Sequence, residues 1–461
     1  MNKFFKLQEN GTTVRREMAA GLTTFFTMAY IIFVNPDILS KTGMDKGAVM
    51  TATIIAAVVA TLIMGLVANV PYALAPGMGM NAFFTFTVCF AMKIPWWQAL
   101  GIVFICGLIN ILITVTKIRK AIILAIPESL QYAISGGIGL FIAYIGFMDS
   151  HLLNFTPNSA ADATGAYSNV VPSLVNFTDK ASVLALIGVV IIVVLMLLKV
   201  KGSILIGIIA TTIIGIPMGV THIPHINFGD FLPPDPSPTF AHFDVFGLFK
   251  DPSQLFKIIM LIIAFSLADT FDTIGTFLGT GRKTGIFDAK DEESLHKGKG
   301  FSSKLDKALF ADATATSVGA VFGTSNTTTY VESAAGIEAG GRTGLTSVTT
   351  AVLFIACLFL WPVVSIVPSA ATSPALIVVG ILMMESLAKV KWDSFEDAAS
   401  AFFTAVVMPF AYSIASGVAA GFIFYVIAKI FKGKAKEVHP IMYIVTALFV
   451  LKYVVDALQI L

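Results

Sequence analysis

Apolar runs of roughly 17–25 residues recur along the whole chain, the length that one helical crossing of a lipid bilayer requires. Lipid offers no hydrogen-bond partners, so each run must satisfy its own backbone N–H and C=O groups, which favours helices. Of the 461 residues, 56% are hydrophobic and only 13% are charged. Soluble domains carry about 25% charged residues. The chain is therefore predicted to be an all-α polytopic membrane protein.

The runs predict fourteen spans and a last apolar stretch that is either a further span or a surface helix. The spans are 18–36, 47–69, 72–92, 95–116, 127–148, 181–198, 202–221, 254–280, 308–323, 326–341, 344–366, 368–388, 398–413 and 415–431, and the last stretch is 438–459. The two short spans near Met408-Pro409 could instead form a re-entrant hairpin. We expect a first seven-span repeat, an extracellular linker, a second repeat of opposite orientation and a C-terminal apolar helix, at 1–221, 222–253, 254–437 and 438–461.

Basic residues predict the orientation of the chain, because Lys and Arg collect on the cytoplasmic side. With a cytoplasmic N-terminus, every even-numbered span ends inside the cell. Spans 4, 6, 8, 10, 12 and 14 are each followed by basic residues: Lys117, Arg119, Lys120, Lys199, Lys201, Arg282, Lys283, Lys290, Arg342, Lys389, Lys391, Lys429 and Lys432. On the opposite side, the long loops 149–180 and 222–252 contain few. We therefore expect a cytoplasmic N-terminus.

Two segments interrupt the apolar pattern. Residues 323–342 are rich in hydroxyls, amides and glycines; 326–330 favours an extended backbone and 331–339 a helix. Residues 71–84, with two prolines, two glycines and Asn81, occupy the corresponding place in the first half. A short extended piece that runs into a half-helix points free N–H groups and a positive dipole end at a ligand. Such paired segments indicate a transporter's binding site, with a polar loop and coincidental kinks as the alternatives.

Carboxylates within the spans are the candidates for chemistry, since ionisable groups at membrane depth are rare and usually functional. Asp269 and Asp272 lie three residues apart and share a helix face with Thr276. Glu332 lies in the second interrupted segment. Together with Asn81 and the half-helix N-termini, two carboxylates suit a small, flat, polar ligand and can exchange a proton. A purely structural role remains the alternative, above all for Asp269.

Other residues are less informative. Phe84 and Tyr330 could stack on a ring, although either could be a packing residue. Glu338 and Arg342 are spaced as an ion pair on one helix, and Asp312 and Asp456 are doubtful candidates. The glycines at 136, 137 and 139 suggest close helix packing. The three cysteines lie in apolar runs without ligand-like spacing, so no metal site is expected.

Three motifs resemble the AzgA-like adenine/guanine/hypoxanthine permeases, a branch of the xanthine/uracil permease superfamily. They are Ala-Pro-Gly-Met-Gly-Met-Asn-Ala-Phe-Phe at 75–84, Asp-Thr-Phe-Asp-Thr-Ile-Gly-Thr at 269–276, and the run from 327 to 344. The resemblance extends from 21–30 to 408–417. It implies two inverted seven-span repeats with short extended segments in spans 3 and 10. It also implies a core domain of spans 1–4 and 8–11, and a gate domain that often dimerises.

By motif position, the resemblance implies a substrate site that contains Asn81, Asp272 and Glu332. Neighbouring residues that complete the expected site are Tyr330, Val331, Ser333, Phe84 and Thr276. Glu332 and Asp272, with Asp269 as an additional acid, are expected to couple a proton to transport. The chain departs from many relatives after Glu332, where Ser-Ala-Ala stands before the glycine, and this departure favours the purine branch.

The function implied is proton-coupled uptake of purine nucleobases across the plasma membrane by alternating access, without a cofactor. The partners expected are a purine base, a proton, the lipid bilayer and a second copy of the chain, but no nucleic acid. Sodium coupling, and the order of preference among adenine, guanine and hypoxanthine, remain open. One alternative is an anion transporter or channel of the same architecture, since half-helix N-termini attract anions. Another is an intramembrane aspartyl protease, which normally draws its two carboxylates from different helices.

Overall fold

The computed structural model describes residues 2–116, 125–157, 170–175, 177–223, 228–251, 254–277, 281, 285–287, 291 and 303–458. Within these ranges the α-helices are α1 Asn2–Phe5, α2 Val14–Met28, α3 Ile31–Leu39, α4 Lys46–Ile63, α5 Met78–Ala82, α6 Trp96–Val115, α7 Glu128–Asp149, α8 Lys180–Leu197, α9 Ser203–Met218, α10 Leu255–Thr276, α11 Lys304–Phe322, α12 Ser333–Glu338, α13 Gly344–Ala356, α14 Trp361–Ile366, α15 Ser369–Met384, α16 Phe395–Phe410, α17 Ile414–Phe431 and α18 Pro440–Leu458. The strands are β1 Leu74–Pro76, β2 Leu153–Pro157, β3 Val170–Leu174 and β4 Thr327–Thr329.

The helices confirm an all-helical multi-span membrane protein. Eight helical stretches of the described chain are long and apolar enough to cross a membrane: Val14–Thr42, Lys46–Ala68, Trp96–Val115, Glu128–Asp149, Lys180–Leu197, Gly344–Ile366, Ser369–Lys389 and Ile414–Phe431. The remaining predicted spans coincide with shorter or less apolar helices, or with a strand followed by a helix. Residues 278–280, at the end of one predicted span, and the basic residues at 117–120, 282–283 and 290 lie outside the described residues.

The first predicted span, 18–36, is not one continuous helix. It begins earlier, at Val14, and is interrupted between Met28 and Ile31. Pro36 lies further on, inside α3, where it leaves the Ile32 carbonyl without its helical N–H partner. At the interruption, the Phe33 amide bonds to the Tyr30 carbonyl at 3.0 Å, so the backbone is locally tighter than an α-helix.

The two interrupted segments pair with each other. Strand β1 runs antiparallel to β4, with Leu74 opposite Thr329 and Pro76 opposite Thr327. Beyond the strands, the Gly77 amide bonds to the Asn326 carbonyl at 2.9 Å. Helix α5 follows β1 and continues as a π-helix over Phe83–Ala91, and α12 follows β4. The predicted extended-then-helical conformation of 326–339 is therefore confirmed, and the N-termini of both half-helices lie beside the strand pair.

A second strand pair was not predicted from the sequence. Strands β2 and β3 form an antiparallel hairpin within the long polar loop 149–180, with Leu153 opposite Leu174. The β-branched pair Val170 and Val171 favours strand β3. The extended segments expected in the two interrupted spans are therefore joined by a second strand pair in this loop.

The helices pack as two groups. The first group contains α2–α6, α10–α13, β1 and β4, and the second contains α7–α9 and α15–α18. Contacts within each group are far more extensive than those between the groups. Between the groups, α10 meets α7, α17 and α18, and α5 meets α7, α3 meets α15 and α2 meets α9. In the second group, Gly139 lets α7 approach α15 so closely that a Cβ there would lie 2.8 Å from the Gly380 carbonyl oxygen. The predicted close packing at this glycine is confirmed.

Glu17 is a buried acid that the sequence analysis did not single out, because it precedes the predicted first span. Its carboxylate accepts the backbone N–H of Arg342 at 2.9 Å and the hydroxyl of Thr346 at 2.6 Å, and so caps the start of α13. The Arg342 guanidinium donates instead to the Ile337 carbonyl at 2.6 Å. The predicted Glu338–Arg342 ion pair is therefore wrong, and Glu338 is exposed.

Candidate functional site

Glu332 lies directly before α12. It is held by Thr27 of α2 and by Tyr30, which follows α2. The Tyr30 hydroxyl donates to Glu332 Oε1 at 2.5 Å, and the Thr27 hydroxyl donates to the Glu332 backbone carbonyl at 3.3 Å. Gly336 makes this approach possible, because a Cβ there would lie 1.9 Å from Thr24 Oγ1 and 2.8 Å from the Ala20 carbonyl oxygen. The position of Glu332 therefore depends on tight packing between α2 and α12.

We expect Gly336→Ala to separate α12 from α2, since the methyl group would overlap both a side chain and a backbone oxygen. Overpacking of this kind typically costs about 1–3 kcal/mol of the free energy of unfolding. A lower thermal unfolding midpoint of the detergent-purified protein would show it. Gly229→Ala is the matched control, because no atom lies within 4 Å of its added Cβ. Equal midpoints for the two variants would contradict the prediction.

Asp272, on α10, is half-buried, and its carboxylate receives no hydrogen bond from the described residues. It is close enough to Glu332 and to Asp312 to interact with both electrostatically. A half-buried carboxylate without a protein donor is costly unless a ligand, water or a proton satisfies it. Asp272 on α10 and Glu332 in the second interrupted segment therefore form a pair of acids.

Asn81, Tyr330 and Ser333 connect the interrupted segments to each other. Asn81 Oδ1 accepts a short hydrogen bond from the Ser325 hydroxyl. The Tyr330 hydroxyl donates to the Pro76 carbonyl at 2.6 Å, and Ser333 Oγ accepts from the Ala73 amide at 3.0 Å. All three side chains are buried. In this conformation, these predicted substrate residues hold the strand pair together.

Asp312, doubtful from the sequence, is buried between α11, α10 and β4. It accepts the Thr329 backbone N–H at 2.8 Å, the Thr329 hydroxyl at 2.7 Å and the Thr273 hydroxyl at 2.7 Å. A carboxylate with several donors is a strong buried acceptor. Asp312 thus fixes β4 against α10, and only the folded chain reveals this, because its partners are distant in sequence.

Asp269 has different surroundings from Asp272, although the two lie three residues apart on α10. Asp269 Oδ2 accepts from Asn110 at 2.8 Å and from Thr316 at 3.1 Å, so it belongs to a buried network with α6 and α11. Its other oxygen, Oδ1, is buried without a hydrogen-bond partner. Of the two aspartates, Asp272 is the one within electrostatic reach of Glu332.

The remaining predicted site residues vary in exposure. Phe84 is fully buried in the apolar core, and Thr276 is buried one turn beyond Asp272. Val331, by contrast, is 46% exposed. The rings of Tyr30 and Tyr330 are neighbours, with centroids 6.4 Å apart. Tyr30 is the residue nearest to Glu332 that sequence reasoning missed, since a tyrosine in an apolar run carries no distinguishing signal.

The fold and this site define a membrane transporter: many apolar helices, two interrupted segments paired through strands, and acidic side chains beside them. Residues 15–420 match the model of the Permease family (Xan_ur_permease), and the chain belongs to that family. The family expected from the motifs is therefore confirmed. The protein is a transporter and not an enzyme, so the protease alternative is wrong.

Known proteins resemble the chain over nearly its whole length. The guanine/hypoxanthine permease PbuG of Bacillus subtilis (strain 168) is 40% identical over 468 residues, covering 98% of this chain and 99% of that protein. The adenine permease AdeP of Escherichia coli (strain K12) is 38% identical over 458 residues, covering 99% and 97%. The transmembrane domain of a cyanobacterium bicarbonate transporter, BicA, shares the fold with a TM-score of 0.61 at 17% identity, covering 88% of this chain and 97% of that domain.

Proposed function

We propose that this protein takes up purine nucleobases, namely hypoxanthine, guanine or adenine, across the plasma membrane in symport with protons. The observation that carries the proposal is the pair of acids Asp272 and Glu332 beside the paired strands β1 and β4. The names of the two permease relatives support a purine as the substrate.

The chemistry of the two carboxyl groups suits a purine. An ionised carboxylate accepts ring or amino N–H groups, whereas a protonated carboxyl group donates one hydrogen bond and accepts another. Gain or loss of a proton by Glu332 or Asp272 therefore changes which edge of a base the site binds. Asn81, Tyr330, Val331, Ser333, Phe84 and Thr276 complete the proposed site, and Asp269 is the proposed additional proton-coupling acid.

Uptake of radiolabelled hypoxanthine by cells without purine uptake of their own tests the proposal. Unlabelled hypoxanthine, guanine and adenine compete in separate arms, and a protonophore and sodium-free buffer test the coupling. We expect purine competition, loss of uptake with the protonophore and no effect of sodium removal. Wild-type protein that is present in the membrane yet takes up none of the three bases would overturn the proposal.

An anion substrate is the alternative, and the fold shared with a bicarbonate transporter is compatible with it. At 17% identity that likeness concerns the fold alone. Two carboxylates in the site disfavour an anion, because like charges at short range repel. Labelled sulfate and bicarbonate uptake, measured beside hypoxanthine, separates the two functions.

We further propose that the two helix groups are the core and gate domains of a fourteen-span fold built from two inverted seven-span repeats, with a cytoplasmic N-terminus. The first group contains the elements of spans 1–4 and 8–11, and it would move against the second group to alternate access. A homodimer would form through the second group. In this arrangement 222–253 is an extracellular linker and 438–461 a C-terminal helix.

Polar contacts join the two groups at one end, which is extracellular in the proposed orientation. Lys41 Nζ lies 2.5 Å from Asp149 Oδ2 at the end of α7, and the Thr372 hydroxyl of α15 donates to Asp37 Oδ2 at 2.8 Å. These contacts stabilise a conformation in which this end is closed. Alternating access requires that they break and form again in each cycle.

We expect charge reversal by Lys41→Asp to shift the conformational equilibrium and lower uptake about tenfold, since loss of a partly buried ion pair is worth roughly 1.4 kcal/mol or more. The double variant Lys41→Asp with Asp149→Lys should recover most of the uptake, measured as the initial rate per transporter in the membrane. If the initial uptake rate of the double variant is no higher than that of the single variant, this ion pair does not join the two groups.

A further inference from the structure

We propose that Tyr30 is a positioning residue for Glu332: its hydroxyl fixes the carboxylate for the substrate and sets the pH at which that carboxylate exchanges its proton. This inference rests on the proposed function and extends it to a residue of the first span. Tyr30 OH and Glu332 Oε1 are 2.5 Å apart, and Tyr30 is 1% exposed.

The geometry leaves Tyr30 little freedom. Its ring is among the largest fully buried side chains, and it lies at the interruption between α2 and α3, which places it beside Glu332. Thr27, one turn earlier, bonds the Glu332 backbone carbonyl at 3.3 Å. The same stretch of chain therefore holds both the backbone and the side chain of Glu332.

The interaction also restricts what Glu332 can do. Among the described residues, Tyr30 provides the side-chain hydrogen bond to this carboxylate, which is half-buried. The other titratable groups that face it are Asp272 of α10 and Tyr330, and Tyr30→Phe leaves both in place. A donor that bonds the ionised form of an acid favours that form. With Tyr30 on Oε1, Glu332 presents a carboxylate of fixed orientation to an N–H group of the base.

Tyr30→Phe removes the hydroxyl and keeps the ring, so it tests the hydrogen bond and not the packing. We expect the KM for hypoxanthine to rise about tenfold. Uptake should depend on pH where Glu332 gains or loses its proton, and this limb of the profile should move to higher pH by about one unit. The reason is that the ionised form of Glu332 loses its hydrogen-bond donor. Thr27→Val, on the same stretch, should leave the midpoint of that limb unchanged. Tyr425→Phe, in the second group, should match the parent protein in both measurements.

A second measurement does not depend on transport. The infrared C=O band of the protonated Glu332 carboxyl group can be identified in purified protein, because Glu332→Gln abolishes it. In Tyr30→Phe this band should disappear at a higher pH than in the parent protein. An unchanged titration together with an unchanged uptake profile would overturn the role of Tyr30. Wild-type protein without purine uptake would overturn the proposed function instead, and the infrared titration would still decide whether Tyr30 acts on Glu332.

Discussion

Glu332→Gln and Asp272→Asn should each lower the initial rate of purine uptake by about 100-fold, while the protein remains in the membrane. Each substitution keeps the shape of the side chain but removes an acceptor oxygen and the ability to exchange a proton. Hydrogen bonds to charged groups are worth about 1.5–3 kcal/mol, and 1.4 kcal/mol corresponds to a tenfold change in rate. Loss of proton coupling adds to that effect. Uptake of labelled hypoxanthine, normalised to the amount of transporter in the membrane, measures it.

Glu338→Gln is the matched control. Glu338 is the last residue of α12, the helix that begins directly after Glu332, but its side chain is exposed. This variant should retain uptake close to that of the parent.

Asp269→Asn distinguishes the two aspartates of α10: its effect should be smaller than that of Asp272→Asn, since Asp269 already accepts hydrogen bonds from Asn110 and Thr316. Normal uptake by both Glu332→Gln and Asp272→Asn would refute the site.

The second large effect is expected on stability. Asp312→Ala should lower the free energy of unfolding by about 2–5 kcal/mol, because each buried donor that is left without an acceptor costs about 1–3 kcal/mol. The Thr329 amide and the Thr273 hydroxyl would lose their acceptor inside the protein. Because these donors hold β4 against α10, the strand pair should loosen and uptake should fall as well.

The thermal unfolding midpoint of the detergent-purified protein measures this effect. Asp393→Ala removes a carboxylate from an exposed position and should leave the midpoint unchanged. Asp312→Asn keeps one acceptor oxygen and should lie between the parent and Asp312→Ala. A midpoint for Asp312→Ala equal to that of Asp393→Ala would mean that Asp312 does not stabilise the strand pair.

Much of the local structure could be predicted because lipid permits few alternatives. A long apolar run must be helical, so most span positions agree with the helices. The two interrupted segments were recognisable because prolines, glycines and hydroxyl residues are unusual at membrane depth. The interruption after Met28 was not predicted, because residues 28–31 contain neither a proline nor a glycine that would mark it.

Roles that depend on distant partners could not be predicted. Asn81 is bonded to Ser325, and Asp312 to Thr329 and Thr273. Pairing of β1 with β4 brings residues more than 200 positions apart into register, and no local pattern encodes that register. The role of Glu17, which precedes the predicted first span, also depends on distant residues, since its donors begin at Arg342.

The sequence by itself determined the class of protein, most of the helix positions and the two polar segments that contain β1 and β4, because the backbone must be hydrogen-bonded within lipid wherever it runs. It also singled out Asp272 and Glu332 as candidates for the site, because acids in apolar spans are rare. The tertiary structure alone decided that Glu332 and Asp312 receive donors from the described residues and that Asp272 does not. That choice arises from the packing of α2, α10 and α11 around one strand pair, and packing is a property of the whole chain.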